Sequence, residues 1–405
     1  MVSNHWKMSI LLSLCLILSG CLSRSEIKRS QEEFLRIKNY ACYYGEGRVE
    51  DLAKYDLVII GGDHYSNQDV AFLKKNKTIV LGYISLGQDY PLKLGNGTGP
   101  GGYASWYLDY FIGEGTENPG KDGQPDKCGD WISYFVNPGD LKWQELTLSR
   151  MDELILRGFD GAFLDVVGYL HEYPDDLKEG VLRPGLLGLI KRLRLGYPKA
   201  YLVVNGSIFL EEIHNLINGV MCESFSSSEV KHDEEVLAVT VEGANRINKI
   251  RNYPENPNLI VLALDYVGRG DIDLVTFDYK RALSFGFIPN ISYDDSYLTD
   301  LCLVNPANRF LAKREKDGVL LTWEAPAEFI EESLLSHYII KRGSKPILSE
   351  TDFKEAFLVN DKVSANITTF KDSGAPKTVL YYTLVAVNRG GIELVGRLTT
   401  CVKEE

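Results

Sequence analysis

The chain reads as an α/β protein, a (β/α)₈ barrel followed by a small all-β domain. Three observations predict this. Eight short apolar runs alternate with helix-like stretches between residues 37 and 302. Several of these runs close on an acid or another polar residue. After Asn305-Pro306 the pattern changes to strands and turns through residue 405.

The expected barrel strands are Tyr40–Tyr44, Asp56–Gly61, Thr78–Ser85, Gly161–Asp165, Ala200–Asn205, Gly219–Glu223, Leu259–Asp265 and Phe287–Ser292. Most are unbroken apolar runs, as strands covered on both faces must be. Between them lie helical stretches such as Trp143–Arg157, Pro184–Leu195 and Glu234–Arg251. Eight such repeats over about 265 residues match a TIM barrel. A doubly wound sheet would place a glycine-rich phosphate loop after its first strand. Here that strand runs into Tyr43-Tyr44-Gly45-Glu46-Gly47-Arg48, which lacks the fingerprint. Residues 91–130 hold ten glycines and read as a long loop on the active face. Asp122 and Asp126 there are spaced as in a calcium loop, but the distal glutamate is missing, so a Gly/Asp turn is expected and no metal. Behind the barrel, Val319–Trp323, His337–Arg342 and Tyr382–Asn388 read as strands, with turns at Asp372-Ser-Gly and Arg389-Gly-Gly.

The first 20 residues read as a signal peptide. Ser9 to Leu18 is apolar but too short to span a bilayer, and Leu18-Ser19-Gly20-Cys21 resembles a bacterial lipobox. Cys21 is then the lipidated N-terminus, residues 21–36 are a tether, and the expected location is extracytoplasmic, held at the bacterial cell envelope by acyl chains. The net charge of −12 argues against nucleic acid as a partner and suits a cationic polymer. Five cysteines remain beyond the lipid site, Cys42, Cys128, Cys222, Cys302 and Cys401. An odd number leaves at least one free thiol, and Cys302–Cys401 is one conceivable pairing.

The chemistry sits at the strand ends. A carboxylate at the C-terminal end of an apolar strand is where such a barrel keeps its active site. Asp165 ends the fourth strand, Glu223 the sixth and Asp265 the seventh, with Asn205, Tyr266, Tyr83 and Ser85 beside them. Strands four and six are two apart round the barrel. Their terminal side chains can converge to the separation of about 5–5.5 Å that a retaining glycosidase needs. One carboxylate would attack the anomeric carbon while the other protonates the leaving oxygen. His64, just past the second strand, is expected to line the cleft. The histidines form no zinc pattern, Ser226-Ser-Ser228 is not a nucleophile elbow, and Cys222 should point away from Glu223. No cofactor is expected.

Gly82-Tyr-Ile-Ser-Leu-Gly87, Tyr134-Phe-Val-Asn-Pro138, Gly158-Phe-Asp-Gly-Ala-Phe-Leu-Asp165, Val204-Asn-Gly206, Glu223, Leu264-Asp-Tyr266 and Gly286-Phe-Ile-Pro289 resemble the family 114 glycoside hydrolases. The resemblance spans residues 37–302. It implies an endo-α-1,4-polygalactosaminidase with a retaining mechanism, Asp165 as nucleophile and Glu223 as acid/base. Gln88 departs from the acid often found after the Tyr-Ile-Ser-x-Gly motif. Some bacterial relatives carry a cysteinyl-tRNA synthetase label, but this chain has no nucleotide-binding motif. Residues 305–405 resemble a fibronectin type III domain through Leu321-Thr-Trp323, Pro326, the Tyr338 strand and Ala386-Val-Asn388, with the corner tyrosine's place taken by Leu380. This implies a spacer or docking module whose protein partner is unspecified. The alternative to an enzyme is a glycan-binding or scaffold lipoprotein.

Overall fold

The computed structural model describes residues 34–403 apart from 96–97, 111–115, 130, 169–179, 181, 207–208, 228–233, 254–258 and 294–296. The expected signal peptide, the expected lipid site Cys21 and most of the expected tether lie outside the described residues.

In chain order the strands are β1 (Tyr40–Tyr43), β2 (Leu57–Ile60), β3 (Ile79–Ser85), a two-residue pair β4 (Gln88–Asp89) and β5 (Tyr134–Phe135), β6 (Gly161–Asp165), β7 (Tyr201–Asn205), β8 (Gly219–Glu223), β9 (Ile260–Val267) and β10 (Ile288–Tyr293). Leaving out the β4–β5 pair, these form one parallel sheet in sequence order, β1-β2-β3-β6-β7-β8-β9-β10. The first and last strands lie side by side without ladder bonds, so the sheet is a nearly closed (β/α)₈ barrel. The long helices Leu141–Leu156, Leu182–Gly196, Glu234–Arg251 and Ile272–Ser284 match the helical pattern within two residues where the sequence predicted one. Asp140 caps the first of them, its carboxylate accepting from the Lys142 and Trp143 amides.

Alternation sorts the apolar residues into two cores. Tyr40, Cys42, Leu57, Ile59, Leu81, Phe163, Val203, Met221, Leu262 and Leu264 fill the barrel. Ala162, Leu164, Leu202 and Val204 face outward onto Met151, Leu154, Leu186 and Ile190 of the helices. Gly161 lies so close to β7 that a Cβ there would sit 1.9 Å from the Tyr201 carbonyl oxygen. Phe34 closes the N-terminal end, stacked on Tyr201 with ring centroids 4.4 Å apart.

Residues 91–130 form the long loop expected, with little regular structure among their described residues. Their described parts form a lobe folded back on the barrel. Tyr107 donates to Asp89 at 2.8 Å, and Asp89 is paired with Arg150 at 2.7 Å. Tyr107 and Leu108 are buried, and Trp106 packs on Trp143 with centroids 6.1 Å apart. These apolar anchors, consecutive in a glycine-rich stretch, replace regular structure. Asp122 accepts from the Gln124 amide, which is turn chemistry, and Asp126 accepts from the Tyr110 amide sixteen positions away. All five cysteines of the described residues are free, Cys302 and Cys401 included.

The C-terminal region holds two antiparallel sheets. One has three strands, β11 (Asn308–Glu315), β12 (Gly318–Glu324) and β15 (Thr369–Asp372). The other orders β14 (Phe357–Ser364), β13 (Leu335–Gly343), β16 (Leu380–Asn388) and β17 (Leu398–Val402). Val319, Leu321, Trp323, Tyr338, Ile340, Tyr382 and Leu384 pack between them. Tyr382, two residues past Leu380, donates to Asp372 at 2.9 Å. Leu334 and Ile392 of this region share a cluster with Val267, Val275, Tyr293 and Leu303. The two parts are therefore joined by apolar packing.

Trp143 ties the lobe, the helix and the end of β3 together, fully buried, with its indole N–H donating to the Leu86 carbonyl at 2.9 Å. Trp143→Ala should cost about 3–5 kcal/mol. Trp143→Phe should cost less, about 1–3 kcal/mol for the orphaned carbonyl. Chemical denaturation of the two variants checks both the size and the order.

Candidate active site

Five strands build one polar cluster near their C-terminal ends. β3 and β6 pair with Tyr83 opposite Phe163 and Ser85 opposite Asp165. Tyr83 and Asp165 thus face the interior from neighbouring strands, and the Tyr83 hydroxyl donates to Asp165 Oδ2 at 2.9 Å. Asn205 ends β7 between the two acids. Its Nδ2 donates to Asp165 Oδ1 at 2.9 Å and to Glu223 Oε2 at 2.6 Å. Tyr266, one residue short of the end of β9, donates to Glu223 Oε1 at 2.6 Å. An amide nitrogen has two hydrogens, and here each serves a different carboxylate. Laid end to end, these two bonds bound the separation of the bridged oxygens at 5.5 Å.

Electrostatics fix the donors. Burial pushes the Tyr266 hydroxyl well above its ordinary value, and the Glu223 charge adds to that. Tyr83 is raised in the same way by burial and then by Asp165. Both phenols therefore stay protonated and donate. Among the described residues no lysine or arginine pairs with Asp165 or Glu223. The residues that follow the acids are in the left-handed region, Val166 at φ 56° and Ser224 at φ 51°. A β-branched residue there is strained, and such strain gathers at functional sites.

The acids open into a cleft of about 1030 Å³ lined in part by Tyr44, His64, Tyr83, Asp165, Asn205 and Glu223. Ser85 also lines it, its hydroxyl accepting from the Gln88 amide at 3.1 Å. Gln88 Oε1 accepts from the Ser133 hydroxyl at 2.9 Å. His64 sits on the rim with Nδ1 2.8 Å from the Tyr44 carbonyl oxygen.

Asp265 is not in the cleft, contrary to the sequence expectation. It neighbours Tyr266 on the same strand, so alternation sends the two to opposite faces. Asp265 is buried and accepts from the amides of Ser226 and Ser227. Ser227 Oγ also donates to Asp278 at 2.6 Å, which places a second carboxylate next to Asp265. Cys222 packs on the outer core, away from the acids.

The sequence reading omitted several aromatic residues of the cleft, Tyr44, Trp131 and Tyr297 among them. Tyr44 follows Tyr40 and Cys42 at the strand period and could have been found that way. Trp131 and Tyr297 come from separate loops and meet edge to face, centroids 6.1 Å apart. No local pattern marks either of them.

No family model matches the chain. It is 24% identical over 259 residues to the uncharacterized protein MJ1477 of Methanocaldococcus jannaschii, covering 58% of this chain and 67% of that one. Among solved structures it is similar to the glycoside hydrolase domain of PelA from Pseudomonas aeruginosa. The TM-score is 0.50 at 20% identity, over 65% of this chain and 96% of that domain. A variant of the same domain gives a TM-score of 0.52 at 19% identity over the same shares. The likeness shows the barrel fold.

Asp265 gives the site's surroundings a pH dependence. Burial, with Asp278 adding, pushes its carboxyl up to about 7 from 3.8, against the pull of the two amides. The native chain thus keeps a proton that the unfolded chain has released, and Asp265's contribution to stability is lost as pH rises through that window. Asp265→Asn should flatten this part of the profile. Melting temperatures of both proteins between pH 4 and pH 7 read it directly.

Proposed function

We propose that this protein is a retaining glycoside hydrolase acting within α-linked amino-sugar polysaccharides of the polygalactosamine type. The observation that carries the reading is the Asn205 amide shared by Asp165 and Glu223. The ceiling of 5.5 Å on the separation of the bridged oxygens admits the spacing of about 5–5.5 Å found in retaining enzymes. It is short of the 6.5–9.5 Å at which inverting enzymes admit a water between the acids. The likeness to the PelA glycoside hydrolase domain supports the same class.

Asp165 is the nucleophile. It is the more enclosed of the two, and Tyr83 and Asn205 aim its oxygens. Glu223 is the acid/base, exposed at the mouth where a leaving oxygen departs. Asp165 attacks the anomeric carbon as Glu223 gives its proton to the glycosidic oxygen. A covalent glycosyl-enzyme results. Glu223 then takes a proton from water, which attacks the same carbon and frees Asp165. Tyr266 and Asn205 hold Glu223 through both steps.

The amino-sugar assignment follows charge. Asp63, Asp165 and Glu223 line the cleft, while its cations Arg150 and Arg157 bond to Asp89 and the Tyr65 carbonyl. Free amines on the polymer would complement that balance. Trp131 and Tyr297 supply faces for sugar rings. We also propose lipid attachment at Cys21, on the lipobox sequence, and a fibronectin type III-like C-terminal domain, on its three-plus-four strand order.

The test is reducing-end release from partially deacetylated poly-galactosamine. The wild type should be active and release the product with its anomeric configuration retained, as read by NMR at early times. Glu223→Gln should lose about 10²- to 10⁴-fold in rate, and Asp165→Asn should fall to background. Wild-type turnover in Asp165→Asn would overturn the assignment. Trp131→Ala should raise KM for long chains more than it lowers kcat.

A further inference from the structure

The barrel has one open joint, and it lies at the cleft. Seven neighbouring strand pairs are held by ladder bonds, but β10 and β1 are not. The segments that leave these two strands both build the cleft wall, Tyr44 after β1 and Leu298 and Thr299 after β10. The Tyr44 amide donates to the Leu298 carbonyl at 2.7 Å, a backbone tie across the seam.

A second tie comes from the C-terminal region. Helix Ala327–Glu332 ends on Glu332, whose Oε1 accepts from Arg48 Nη1 at 2.6 Å and from the Leu301 amide at 2.9 Å. Arg48 belongs to the β1 side of the seam and Leu301 to the β10 side. One carboxylate oxygen therefore joins both. The Tyr293 hydroxyl at the end of β10 donates to the Glu332 carbonyl at 2.5 Å. The Arg48 guanidinium lies 4.0 Å from the centre of the Phe329 ring and also bonds Asp51 at 3.2 Å. Arg48 holds a left-handed backbone, φ 52°, to reach this position. Both side chains of the Arg48–Glu332 pair are only 12% exposed, so removing one leaves the other charge with little water.

We propose that Glu332 is a positioning residue for the active site, a clasp supplied by the C-terminal region that holds the barrel's open seam and the cleft wall of Tyr44 and Leu298. Generic docking of the two parts is already served by the cluster containing Leu334 and Ile392. What Glu332 adds is the bond to both sides of the seam at once. His64 is reached by the same chain of contacts, through the Tyr44 carbonyl. The kinetic consequence rests on the hydrolase reading, whereas the structural one does not.

The experiment uses the full chain with Glu332→Ala, Glu332→Gln and, as a docking control, Ile392→Ala. Hydrogen exchange should quicken at residues 44–52 and 297–304 in Glu332→Ala and leave the strands β6 to β8 unchanged. On polymer, kcat/KM should fall about tenfold to a hundredfold, mainly through KM, because the acids themselves are untouched. Glu332→Gln, which keeps an acceptor for Leu301, should recover part of both effects and serves if the alanine variant does not fold. Ile392→Ala should lower the melting temperature without moving KM. Unchanged exchange at the seam in the folded Glu332 variants would overturn the proposal, as would an equal KM effect in Ile392→Ala. A wild type with no hydrolase activity would count against the function proposed above, and exchange would still decide the clasp.

Discussion

A β-strand turns its side chains to opposite faces at every step, and when eight parallel strands curl round one another the inner face can reach solvent only at the ends. Phe34 blocks one end here by stacking on Tyr201. Every polar side chain on the inner face is thus driven toward the other end or must find partners within. Tyr83, Asp165, Asn205, Glu223 and Tyr266 are the inner-face residues that meet at that mouth. Their convergence needs no special loop. It follows from strand length and from where each polar residue falls in the alternation.

Asn205 imposes order on that convergence. A single amide nitrogen bonding both acids sets how far apart they can stand, and the two tyrosines occupy one further oxygen on each. Charged groups gathered at a barrel mouth would otherwise repel one another. Neutral donors on rigid strands hold them together without a cation that would take up their charge. The left-handed backbones at Val166 and Ser224 show that the chain leaves both acids abruptly. Strain at these two points is sustained by the packing of β6 and β8 on either side.

Much of this was legible in the sequence because it depends on local period. The eight strands, the outward-facing Cys222 and the polar strand ends are all read from alternation within a few residues. Asp265 was misplaced for an instructive reason. Its position near a strand end suggested the cleft, but Tyr266 beside it takes the inner face, so Asp265 must take the outer one. Tertiary facts left no such trace. Trp131 meets Tyr297, and Arg48 meets Glu332 across 284 positions, through folding alone. The lobe after β4 reads as loop in the sequence because its anchors, the consecutive Trp106, Tyr107 and Leu108, are few and lie within a glycine-rich stretch. Their burial against Trp143 and Asp89 could be known only from the folded chain.

Phe34 also gives the molecule a direction. Phe34 lies at the plugged end of the barrel, beside the first residue of β7, while the cleft occupies the opposite end. The plug and the cleft therefore sit at opposite ends of one barrel, so the base can be held or covered without narrowing the mouth at which the two carboxylates meet.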